Sequence, residues 1–114
     1  MEENKGQILL YQTVDGESRI EVTLCNNTVW LTLDQMAELF QRNKSTISRH
    51  IKNVFESGEL QENSVVAIFA TDASDGKIYL VSYFNMYMII SIGYRVKSYR
   101  GVQFRIWATQ ILKE

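Results

Sequence analysis

The sequence predicts an α+β fold: a winged helix-turn-helix with an amino-terminal antiparallel β-meander and two carboxy-terminal helices. Three observations predict it. Two amphipathic helical patterns between Thr32 and Phe55 are joined by a short break at Gln41-Arg42-Asn43. Before them, short alternating segments are separated by turn residues, as in a meander. After them comes a hairpin pattern centred on Asp75-Gly76, and then two further helical patterns.

Taken in order, Gln7 to Val14 reads as a strand, and Asp15-Gly16 as a turn. Arg19 to Cys25 puts Ile20, Val22 and Leu24 on one strand face, and Asn26-Asn27 turns into a strand from Thr28 to Leu31. Thr32 can cap the first helix, with Gln35 three residues later as in a capping box. Leu33, Met36, Ala37 and Phe40 follow at helical spacing, and Ala37 is small where two crossing helices need close approach. Asn43 is the expected N-cap of the second helix, on which Ile47, Ile51, Val54 and Phe55 form the apolar face. Gly58 is placed to end that helix in a left-handed conformation.

Val65 to Thr71 and Ile78 to Phe84 are rich in β-branched and aromatic residues, and Asp72 to Lys77 connects them. A hairpin in this place is a wing. Asn85 can cap a short apolar helix ending near Gly93, and Ser98 can open another. In that last helix Val102, Ile106 and the Trp107-Ile111-Leu112 cluster are expected inside, with Arg100 and Arg105 outside. The helical pattern is unfinished at Glu114, so residues 1–114 read as one domain at the amino-terminal end of a longer protein.

Composition narrows the function. At 114 residues and 46% hydrophobic content the chain can bury a real core, and it contains no proline. The single Cys25 cannot form an internal disulfide and fits a buried strand position in a cytoplasmic protein. No apolar run reaches spanning length and no signal peptide is visible, so no membrane association is expected. With one His and one Cys there is no metal-binding cluster, and no phosphate-binding glycine loop is present. Catalytic, cofactor and metal sites are therefore not expected.

The net charge is only −1, but the charges are segregated along the chain. Leu39 to Phe55 contains Arg42, Lys44, Arg49 and Lys52 and no acid; Gly76 to Lys113 contains six cations and no acid. The acids lie in the first 38 residues, between Glu56 and Asp75, and at Glu114. This implies one basic and one acidic face, unless the segments interleave in space.

The second helix leaves Ser45, Thr46, Ser48, Arg49, Lys52 and Asn53 off its apolar face. Hydroxyls, amides and cations on a helix can meet phosphates and base edges in a major groove. The expected partner is double-stranded DNA, contacted by Arg42, Lys44, Ser45, Thr46, Ser48, Arg49 and Lys52, with Lys77 added from the wing. The turn departs from the common pattern, with Gln41 where glycine often stands and Arg42 where an apolar residue is usual. A protein-interaction module without DNA binding is the alternative. A homodimer is a further expectation, since two copies about a dyad would read a palindrome. The aromatic residues of the last third could supply its contact.

Three segments resemble the amino-terminal domain of the RhuM family of bacterial virulence-associated proteins. They are Val29-Trp30-Leu31-Thr32 with Gln35 to Phe40, His50 to Phe55 with Gly58-Glu59-Leu60, and Gly93 to Ser98 continuing through Arg100-Gly101 to Gln103–Gln110. The run Phe104-Arg105-Ile106-Trp107-Ala108-Thr109 is also similar to the Phe-Arg-x-Trp segment of phage and baculovirus Bro amino-terminal domains, found in antirepressor-like DNA-binding proteins. The resemblance implies DNA binding and transcriptional regulation, supplies no catalytic residues, and implies a longer parent chain.

Overall fold

The computed structural model describes residues 6–113. Of the acids counted above, Glu2, Glu3 and Glu114 lie outside the described residues. The elements run β1 (Gln7–Gln12), β2 (Arg19–Cys25), β3 (Thr28–Thr32), α1 (Leu33–Phe40), α2 (Lys44–Glu56), α3 (Glu62–Val65), β4 (Val66–Asp72), β5 (Ile78–Asn85), α4 (Met86–Val96) and α5 (Tyr99–Lys113). The fold is α+β. Its five strands form one antiparallel sheet in the order β1-β2-β3-β5-β4.

Local chemistry sets the turns. The first connection is longer than the sequence suggests. Thr13 leaves the strand, and its N–H donates to the Ser18 carbonyl at 2.9 Å while its hydroxyl donates to Asp15 at 2.6 Å. Asn26 and Asn27 both take positive φ, 55° and 64°, which closes β2 on β3 with a tight turn of the hand that suits hairpins. The hairpin after α2 is present, and β5 is built onto the meander: Trp30 pairs with Asn85, Leu31 with Phe84 and Thr32 with Tyr83. That overlap is short. From Tyr83 the hairpin runs on about 20 Å to Lys77, at the usual strand rise of about 3.3 Å per residue. Along it Ile68, Ile78 and Leu80 are exposed.

One face of the sheet joins the helices in the core, where Val22, Leu31 and Phe84 meet Met36, Leu39, Phe40, Ile47, Val54, Met88 and Ile92. On the other face Trp30 and Tyr83 flank Phe69 edge-on, with centroids 6.5 and 4.9 Å away. The Trp30 indole donates to the Cys25 carbonyl at 2.9 Å. Cys25 is buried in its strand, as expected.

The last third corrects three expectations. The first is the end of α4, which does not stop near Gly93 but continues to Val96, where Lys97 caps it in the left-handed region. Gly93 lies inside the helix, where an added Cβ would stand 3.5 Å from the Phe40 ring; it is a packing residue, not a terminator. The second is the phase of α5. Val102 and Ile106, placed inside by the sequence pattern, are 39% and 53% exposed, while Phe104 and Ala108 are buried. Trp107, Ile111 and Leu112 are half-buried. The phase is set by Gly101, which lies so close to Phe40 that a Cβ would approach its ring to 2.9 Å. The inward stripe is therefore Gly101, Phe104 and Ala108, at i, i+3 and i+7. The third is Arg100. Placed outside by the sequence pattern, it is half-buried near Tyr11 of β1, with all three guanidinium nitrogens shielded from solvent.

Candidate nucleic-acid interface

α1 begins as its sequence dictates. The Thr32 hydroxyl accepts from the Gln35 N–H at 3.1 Å, and the Gln35 side chain accepts from the Thr32 N–H at 2.8 Å. Gln41 ends the helix in the left-handed region at φ 54°. α2 then starts after Asn43, which has the extended backbone of an N-cap but makes no side-chain capping bond. At its far end Gly58 takes φ +79° and donates to Phe55, while Glu59 donates to Val54; these are the paired bonds of a Schellman cap.

Ile47, Ile51 and Val54 fix α2 in the core, each burial contributing about 1.5–3 kcal/mol. The opposite face is exposed at Ser45, Ser48, Arg49, Lys52 and Asn53, while Thr46 is half-buried. Arg49 makes no hydrogen bond or ion pair among the described residues. Lys44 lies 3.2 Å from Asp34 of α1, and Lys52 lies 3.9 Å from Glu56 one turn on. All four of these side chains are strongly exposed. Pairs of that kind contribute at most about 1 kcal/mol.

Two candidate residues stand apart from this face. Arg42 turns its guanidinium onto helix ends, donating to the Phe40 and Gln41 carbonyls at 3.1 and 3.3 Å and to the Val96 carbonyl of α4 at 3.1 Å. Lys77 is exposed in the hairpin turn. Beside it Asp75 accepts from the Tyr79 hydroxyl at 2.6 Å and from the Lys77 N–H at 2.9 Å. These bonds hold its carboxyl below the usual range, the hydroxyl contributing most.

A second polar group joins the segment after α2 to α4. Glu59 accepts from the Ser91 hydroxyl and from Arg95, each at 2.7 Å, and these bonds lower its pKa. His50 flanks the apolar face of α2, as the spacing suggests. Burial first, and then the charges of Arg49 and Arg95, hold its imidazole below the usual 6.5. No local signal points to the Glu59 group, because Glu59, Ser91 and Arg95 are brought together by tertiary packing alone. The acids Asp34, Glu56 and Glu59 thus meet cations of the basic segments, and the charges that are segregated in sequence interleave here.

Among the described residues no His, Cys, Asp and Glu cluster could hold a metal ion, and no helix is long and apolar enough to cross a membrane. Comparisons with curated proteins and with solved structures returned no match. A family model described as Virulence protein RhuM family matches residues 64–114, from the end of α3 through β4, β5, α4 and α5. α1 and α2 lie outside the match. The hairpin and the two carboxy-terminal helices therefore carry this chain's similarity to the RhuM virulence protein family.

Proposed function

We propose that this protein binds double-stranded DNA in a sequence-specific manner and regulates transcription. In this reading α1, the turn and α2 act as a helix-turn-helix, α2 enters the major groove, and the β4–β5 hairpin is the wing. One observation carries the reading. Arg49 stands unpaired on the outer face of α2 between Ser45, Ser48 and Lys52, while the inner face is locked into the core. The uncapped amino end of α2 adds backbone N–H donors suited to a phosphate. The weak exposed partners of Lys44 and Lys52 can be exchanged for phosphate oxygens.

The test is an anisotropy titration of the intact protein with duplex pools at low salt, followed by selection of bound sequences. Arg49→Ala should cost about 1–3 kcal/mol and relax preference at one position. Lys52→Ala should weaken all sequences alike and flatten the dependence of affinity on salt. Absence of duplex binding at low salt would refute the proposal and favour the protein-interaction alternative, to which the small net charge is suited.

A further inference from the structure

α4 and α5 cross at Gly93 and Gly101, and beside the crossing a groove opens between them. Its cavity volume is about 60 Å³, and it is open to solvent on one side. Met86, Ile90, Gly93 and Val102 line it, with Tyr94 and Arg105 at its rim. Tyr94, and Ile106 one turn beyond Val102, are more than half exposed. Arg105 donates to the Tyr94 hydroxyl at 3.3 Å and has no carboxylate partner among the described residues. No acid lines the groove, and none occurs on α4 or α5. The other arginines of these helices are turned elsewhere, Arg95 to Glu59 and Arg100 toward β1.

We propose that this groove is a docking site for an acidic amphipathic segment of a partner protein. An apolar side chain of that segment would lie between Ile90 and Val102, and a carboxylate beside it would face Arg105. Charge complementarity selects this occupant. A second copy docked groove to groove about a dyad would set one Arg105 against another. A nucleic-acid strand needs a track of cations, whereas this lining holds one cation. The inference is independent of DNA binding by α2, since it uses neither α1 nor α2.

A display library of random peptides, panned against the intact protein, tests it. The expected result is enrichment of peptides that combine Leu, Phe or Trp at helical spacing with Asp and Glu. Synthetic versions should lose about tenfold or more in affinity against Val102→Glu and Arg105→Glu. Both positions are exposed, so the variants should keep the wild-type unfolding midpoint. Arg105→Gln, with no charge reversal, should give an intermediate loss. No enrichment, winners without acids, or winners indifferent to these variants would overturn the proposal. So would sedimentation showing a dimer that Val102→Glu dissociates, or oligo(dT) binding lost in the same variants.

Discussion

Arg42 shows how far a residue's role can depart from its residue type. In sequence it is one more cation before a basic helix; in the fold its guanidinium joins the ends of α1 and α4. Charge-assisted bonds of this kind contribute about 1.5–3 kcal/mol. We expect Arg42→Ala to lower stability by about 1–2 kcal/mol in urea unfolding, after allowing for partial replacement by water. The salt dependence of duplex binding should not change if the Arg42 guanidinium stays on its three backbone carbonyls in the complex. His50 gives a second expectation. Its folded pKa is held below 6.5, so the unfolded chain takes up the proton more readily. Stability is then full above that value and falls as pH drops through the interval below it. The urea midpoint should therefore decline between about pH 7.5 and 5, and His50→Gln should flatten the decline. The carboxylates with lowered pKa titrate in a lower range and leave this window clear. Thr32 and Gln35 are legible in the sequence because their bonds close within four residues. Arg42 is not, because its decisive acceptor is 54 residues away.

Among the elements, the meander, the two central helices and the hairpin follow from local signals: paired Asn at a tight turn, a capping box, a glycine past a helix end. α5 does not. Its apolar residues surround the helix, so periodicity leaves the inward direction open, and contact with Phe40 decides it. The same contact gives a paired test. Gly101→Ala would press a Cβ into the buried Phe40 ring at 2.9 Å. It should cost about 1–3 kcal/mol. Gly93→Ala meets that ring at ordinary contact distance, 3.5 Å. It should be neutral or gain up to about 1 kcal/mol of helix propensity. Equal losses in thermal or urea unfolding would contradict the account of how α4 and α5 cross. α3, a single turn between α2 and β4, has too few residues to show a period and is invisible to pattern reading.

At the scale of the whole molecule, the charge pattern is the least transferable reading. Runs of one sign in sequence become neighbours of both signs once α1 lies on α2 and Glu59 on α4. The proposed DNA surface is centred on Arg49, on the outer face of α2 that runs from Ser45 to Lys52. The hydroxyl and cation positions of that face are legible, because helical phase alone places them opposite Ile47, Ile51 and Val54. The bond from Arg42 to Val96 has a further consequence. The segment from Leu33 to Glu56 is not a cassette that could be lifted into another scaffold. Excised, its turn would keep the backbone bonds made within the segment and lose the clamp supplied by the far end of α4. A chimera carrying that segment would have to bring a carbonyl to the same spot, or replace Arg42 with an apolar side chain matched to its new host.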